Sequence, residues 1–213
     1  MPRLHYFDAR GGAEPIRLMF AYANQPYEDI RYKGPDDENW IKFKPKTPFG
    51  QLPVIESESM GKMWGQTSSI IRALALHKFN LAGGEVAEQG DVDMYATALF
   101  EDWKPKFVPA VRCMWQKGKD SPEAKAAVFE AIEKLQPHLD QFNKRLAENG
   151  TGFVVGAKVT YVDIVLFSYL WNIEHDMDAN VLDAYPQLKT FKDKIGNLPG
   201  INEWIDKRPQ TDL

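Results

Sequence analysis

Leu4-His5-Tyr6-Phe7-Asp8-Ala9-Arg10-Gly11-Gly12-Ala13-Glu14-Pro15 is the stretch from which the first part of the fold can be read. Residues 4–7 read as a short strand and residues 8–12 as a glycine-containing turn, after which a helix is expected. Over residues 14–24, Ile16, Met19, Phe20 and Ala23 recur at helical spacing, and Pro15 falls in the first turn, where its missing N–H is harmless. Working outward, residues 27–32 are short and aromatic enough for a second strand, and residues 36–48 predict a loose stretch with one helical turn around Trp40. The segment Phe49-Gly50-Gln51-Leu52-Pro53-Val54-Ile55 ends as a strand. A proline donates nothing to a central ladder, so Pro53 marks an edge, a strand start or a cis bond. A turn at 56–61, a strand at 62–64 and a helix over 66–77, with Ile70, Ile71, Leu74 and Leu76 available for burial, complete an α/β unit with a small mixed sheet.

From residue 85 the pattern changes to long helices punctuated by Gly, Pro and Asn, predicted at 85–117, 121–148, 160–177, 186–197 and briefly near Asn202. The expected organisation is therefore an α/β domain over 1–79, a linker at 80–84 and an all-α domain over 85–213. Thr160-Tyr161-Val162-Asp163 ahead of the apolar run 164–170 has the form of a capping box, which places the core of the helical domain on the helix it starts.

Composition narrows the function. With 213 residues, 44% hydrophobic and 12% aromatic, the chain can fill a real core. Its 30 acidic residues outnumber 26 Lys plus Arg, for a formal net charge of −4, which is not the footprint of a nucleic-acid binder. The apolar run 164–170 is far shorter than the roughly 20 residues of a membrane span. The single cysteine, Cys113, excludes an intrachain disulfide, a Cys-rich zinc site and a CxxC redox motif. His5, His77, His138 and His175 have no paired ligand spacing, so no metal is expected. There is no nucleophile elbow, GxGxxG or P-loop. Residues 1–7 carry no apolar signal region, and with the lone cysteine this gives a cytosolic, membrane-free expectation.

Residues 6–14, then Trp40 with Lys44, then Phe49-Gly50-Gln51-Leu52-Pro53-Val54, then Gln66-Thr67, taken in order and spacing, resemble the sigma class of cytosolic glutathione transferases, which includes the haematopoietic-type prostaglandin D synthases. The Thr160–Asp163 box and the closing Lys207-Arg208-Pro209-Gln210-Thr211 also resemble that group. The resemblance implies a thioredoxin-like first domain, a helical second domain and an active site in the cleft between them. It carries the active-site tyrosine over to Tyr6, the glutathione site to Trp40, Lys44, Gln51, Leu52, Gln66 and Thr67, and the cis-proline to Pro53. It further implies a homodimer in which Asp102 reaches the γ-glutamyl ammonium of the neighbouring subunit's glutathione. The electrophile pocket maps to Phe7, Arg10, Gly12, the helix 103–111 and Leu213. Glutathione as co-substrate, with no metal, and small hydrophobic electrophiles are the implied partners.

Those residue types suit that ligand. Lys44 offers a charge-assisted donor and Trp40 an indole N–H to a carboxylate. The Leu52 backbone can pair with an extended peptide. Gln66-Thr67 open a helix whose free N–H groups and positive dipole end favour the γ-glutamyl carboxylate. Singly, each also fits a structural role: Trp40 in packing, Lys44 as a solvated charge, Gln66 and Thr67 as a cap, Pro53 as a strand start. Two other readings of the fold stand beside the transferase: a prostaglandin-D-synthase-type isomerase and a non-catalytic crystallin or ligand carrier. A thiol oxidoreductase is disfavoured, because the Tyr6 region occupies the place of its cysteine. One departure from the pattern is clear: sigma-class relatives carry Arg-Gly-Arg-Ala-Glu where this chain has Arg10-Gly11-Gly12-Ala13-Glu14. Gly12 supplies no such cation, so the expectation is a thiol pKa higher than in relatives with that arginine, a wider pocket and weak or absent prostaglandin D synthase activity.

Overall fold

The computed structural model describes residues 1–58 and 61–211. The chain forms two compact units, Met1–Asn80 together with the tail that begins at Leu198, and Leu81–Asn197. The α/β-plus-all-α class expected from the sequence is what the chain adopts.

In the first unit, strands β1 (Arg3–Phe7), β2 (Glu28–Tyr32), β3 (Val54–Ser57) and β4 (Lys62–Gly65) form one sheet in the order β2-β1-β3-β4. β1 pairs parallel with β2, with Tyr6 opposite Arg31, and antiparallel with β3, with Leu4 opposite Ile55. Helix α1 (Glu14–Tyr22) makes the crossover from β1 to β2, as a parallel pair requires. Pro15 lies in its first turn, and every residue from Glu14 to Phe20 is buried, the charged Glu14 and Arg17 included. Asp37 caps α2 (Glu38–Phe43) by accepting the Asn39 and Trp40 N–H groups. Helix α3 (Thr67–Leu74) continues as a π-helical turn at Ala75–Phe79 that ends on Asn80 in the left-handed conformation. Ile70, Ile71 and Leu74 are buried as expected, but Leu76 is 50% exposed, because the π turn rotates it off the apolar stripe.

The expected 85–117 helix is three pieces: α4 (Val86–Ala98), a π turn at Leu99–Trp103, and α5 (Lys104–Lys117). Pro105 explains the change of winding. It has no N–H for the Glu101 carbonyl and its ring crowds that carbonyl, so a wider turn precedes it. Helices α6 (Pro122–Asn149), α7 (Tyr161–Asp176) and α8 (Pro186–Gly196) follow. The capping box closes as read: Asp163 accepts the Thr160 N–H at 2.8 Å, and its other oxygen accepts the Val154 N–H at 2.8 Å. Helix α7 is buried from Tyr161 to Leu170 and forms the core of this unit.

The second domain was expected to run from 85 to 213, but the tail packs within the first unit. Helix α9 (Ile201–Lys207) lies against α1, where Trp204 Nε1 and Arg208 Nη1 donate to Glu14 Oε1 at 2.9 and 2.6 Å. Glu14 is 2% exposed, and an ion buried this deeply needs such partners. Among the described residues, no helix is long and apolar enough to cross a membrane.

Candidate functional site

Of the residues singled out by the sequence, Tyr6, Gly12, Pro53 and Thr67 come together at the end of β1 in the first unit. Tyr6, half-buried, stands on β1 ahead of a 3₁₀ turn at Gly11–Ala13. The Gly12 N–H donates to the Tyr6 hydroxyl oxygen at 2.9 Å, and the Thr67 hydroxyl donates to the Gly12 carbonyl at 3.1 Å. The loop is thereby tied to the strand before it and to the first residue of α3. A β-carbon placed on Gly12 would lie 3.0 Å from the Thr67 hydroxyl, 3.5 Å from the Tyr6 hydroxyl and 3.7 Å from the Pro53 ring. Tyr6, Thr67 and Pro53 therefore surround one point.

Pro53 follows a cis peptide bond from Leu52 and immediately precedes β3. Gln66 sits at φ +69°, a backbone region that costs a non-glycine residue about 1–3 kcal/mol and that persists only where its surroundings impose it. It makes no side-chain cap for α3, so the N–H groups of the first turn are left for another acceptor. Its amide lies 3.5 Å from the Gln51 side-chain oxygen, and both side chains are exposed on the same edge. Lys44 is exposed and runs along Gly50, with its Cε 3.6 Å from where a β-carbon would be. Trp40 is only 4% exposed, packed between Phe7 and Tyr32 with ring centroids 5.9 and 5.7 Å away, so packing is a large part of its role.

The remaining expectations fare differently. Phe7 packs on the Tyr6 and Trp40 rings. Arg10 is buried, and its Nη1 donates to the Thr211 carbonyl at 2.7 Å, which engages it with the tail. Asp102 is exposed on the π turn of the second unit. Leu213 lies outside the described residues. No group of three or more His, Cys, Asp or Glu stands together for a metal among the described residues.

Burial, the largest influence, pushes the Tyr6 phenol above its ordinary pKa, while the Gly12 N–H and the Arg17 charge pull it down. The phenol therefore keeps its proton at neutral pH. With the oxygen already accepting from Gly12, that proton is free to be donated, and a polarisable anion beside it is the fitting acceptor.

Two residues of the site were not read from the sequence. Gly11 has φ +39°, and a β-carbon there would fall 2.6 Å from the Tyr6 hydroxyl, so only glycine fits. Arg17 lies with its guanidinium carbon 5.8 Å from the Tyr6 ring centroid. Gly12 supplies no cation to the tyrosine, and the cation nearest its ring comes from the helix rather than the loop. The available signal was a Glu14/Arg17 pair at i, i+3 inside an otherwise apolar helix.

Comparison with known proteins agrees with this geometry. The N-terminal domain pattern of glutathione S-transferases matches residues 2–72, and the C-terminal domain pattern matches residues 101–208. The chain is 37% identical over 98% of its length to glutathione S-transferase 4 of Caenorhabditis elegans, covering 97% of that relative. It is similar to the crystal structure of the glutathione S-transferase from Ascaris lumbricoides, with a TM-score of 0.88, 34% identity and all of both chains covered. A nu-class enzyme from Haemonchus contortus is similar with a TM-score of 0.83 and 34% identity, over 100% of this chain and 98% of that one.

Proposed function

The chain belongs to the glutathione S-transferase family and is a glutathione transferase with glutathione as its co-substrate, and from that premise we propose that Tyr6 activates the thiol by donating its hydroxyl hydrogen to the sulfur. The observation that carries this reading is the Gly12 N–H bond to the Tyr6 oxygen, which aims the hydroxyl and leaves its hydrogen available.

A free thiol with pKa about 8.5 is only a few per cent ionised at neutral pH, and the thiolate is the nucleophile. A charge-assisted hydrogen bond worth roughly 1.5–3 kcal/mol lowers that pKa by about one to two units. About half the bound glutathione is then thiolate at pH 7, with the thiol proton released to water. Tyr6 keeps its own proton throughout, because burial disfavours the phenolate. The thiolate attacks a hydrophobic electrophile, forming a carbon–sulfur bond as the leaving group departs with its electron pair, or attacks a peroxide oxygen, which oxidises the sulfur as the O–O bond breaks and the alkoxide leaves to take a proton from water. Phe7 supplies apolar surface beside Tyr6.

Around that sulfur, the Leu52 backbone meets the cysteinyl amide, the α3 N-terminus at Gln66-Thr67 receives the γ-glutamyl carboxylate, and Lys44, Gln51 and Trp40 face the glycyl end. The support is the convergence of Tyr6, Pro53 and Thr67 on one point and the uncapped first turn of α3. We also propose a cytosolic homodimer in which Asp102 contacts the neighbouring subunit's glutathione; Phe49, 65% exposed, offers apolar surface for such an association. Within the family, the sigma class is our reading from residues 6–14 and from the closing run 207–211. A nu-class enzyme is also similar, so the class rests on those residues alone.

Conjugation of a generic aryl halide, together with retention on glutathione-agarose, tests the function. Turnover with retention supports the transferase. Retention without turnover, or ligand binding alone, supports a carrier or crystallin role instead.

A further inference from the structure

We propose that Arg17 is a positioning residue for thiol activation: its buried guanidinium, set over the Tyr6 ring, makes the Tyr6 hydroxyl a stronger hydrogen-bond donor. This rests on the reading of Tyr6 as the donor to the thiol.

The Arg17 side chain is fully buried. Its Nη1 donates to the Ala9 carbonyl at 2.8 Å and to Glu14 at 3.3 Å, and its Nε donates to Asp29 at 3.2 Å. Nη2 is buried and has no hydrogen-bond partner among the described residues. An arginine retained for structure alone would be expected to have its donors satisfied, since a buried charge with an open donor is unfavourable.

Arg17 is fixed by a line of alternating charges, Asp8–Arg31–Asp29–Arg17–Glu14–Arg208, whose successive contacts run 3.1, 2.8, 3.2, 3.3 and 2.6 Å. Three carboxylates and three guanidinium groups leave the line close to neutral, so what Tyr6 feels depends on which member is nearest. Its guanidinium carbon is 5.8 Å from the Tyr6 centroid, and its charge pulls the phenol pKa down against the larger effect of burial. Screening is weak in a buried setting, so a cation at this range acts on a developing phenolate dipole. The other candidates are engaged or absent: Arg10 holds the Thr211 carbonyl and Gly12 has no side chain. Arg17 forms no bond to substrate and takes no proton.

The test titrates the thiol of bound glutathione by its ultraviolet thiolate absorbance in the full-length protein, its Arg17→Met and Arg17→Lys variants, and the same substitutions combined with Tyr6→Phe. Arg17→Met should raise the thiol pKa by about half a unit to one unit and lower kcat about three- to tenfold at slightly acid pH, leaving the glutathione KM near native. Arg17→Lys should restore at least half the shift. With Tyr6→Phe already present, Arg17→Met should add no further rise. An unchanged pKa in folded Arg17→Met, or a full additional rise on the Tyr6→Phe background, overturns the proposal. If Tyr6→Phe itself leaves the pKa unchanged, it is the reading of Tyr6 that fails. Should Arg17→Met not fold, Arg17→Met with Glu14→Gln removes a carboxylate left behind.

Discussion

The backbone N–H of Gly12 donates to the Tyr6 hydroxyl oxygen across 2.9 Å, so the turn that follows β1 reaches back to aim the side chain at its end. The Thr67 hydroxyl holds the Gly12 carbonyl at the same time, which makes the turn a rigid clamp between strand and helix. Tyr6 is oriented by backbone, and changes in the turn should appear as changes in turnover.

Gly11→Ala should be the most damaging small change in the turn. Its β-carbon would lie 2.6 Å from the Tyr6 hydroxyl at a φ of +39°. A loss of about 1–3 kcal/mol in stability and at least about tenfold in kcat is expected. Gly12→Ala has no positive φ to sustain and needs only a small shift of Thr67, so its effect should be clearly smaller. Thermal unfolding and steady-state kinetics on the two variants check the order, and a Gly12 variant worse than the Gly11 one contradicts the geometry.

Gly12→Arg places a second cation near the Tyr6 hydroxyl. The bound thiol pKa should fall by several tenths of a unit, since a nearby positive charge favours the anion. Prostaglandin D synthase activity, expected to be weak in the native chain, should be measured alongside. An unchanged pKa means Arg17 and the Gly12 N–H already saturate the effect.

Glu14 sets an acid limit to stability. Burial alone would push its carboxyl up, but the Arg17 and Arg208 charges and the bonds from Trp204 and Arg208 outweigh burial and hold it below the usual carboxylate range. A lowered folded pKa gives stability that is present above the unfolded value near 4.3 and lost as pH falls through the folded one. Glu14→Gln should therefore destabilise by about 3 kcal/mol at neutral pH and flatten the acid limb below about pH 4. Asp163 has the opposite sign: burial pushes it up to about 6, so its contribution is lost as pH rises from about 4 to 6. Tm against pH for Glu14→Gln and Asp163→Asn checks both slopes.

Asp102→Ala should raise the glutathione KM severalfold while leaving kcat near native, if the proposed dimer brings this exposed carboxylate to a neighbour's γ-glutamyl ammonium. Sedimentation analysis establishes the dimer first. A dimer with an unchanged KM removes the cross-subunit contact.

Much of the fold was legible because some residues declare their backbone role locally. Pro15 in a first turn, Pro53 at a strand start and the Thr160–Asp163 box each impose a backbone outcome that does not depend on distant partners. Arg17 was not legible as a site residue, because a charge on a helix is ordinarily solvated, and only the return of the tail to Glu14 shows that this helix is enclosed on every face. That return is a contact between residues 14 and 208, which local pattern does not report. Trp40 was read as a ligand donor, yet its ring is mostly core, and Leu76 was read as core until the π turn carried it outward.

The central claim is that the Tyr6 hydroxyl lowers the pKa of bound glutathione, and the direct measurement is the thiol titration of glutathione bound to native protein and to Tyr6→Phe. The account predicts a rise of about one to two units in the variant, a ten- to hundredfold fall in kcat, about what 1.5–3 kcal/mol implies, and a glutathione affinity within severalfold of native. A thiol pKa that stays where it was in folded, glutathione-binding Tyr6→Phe would contradict it.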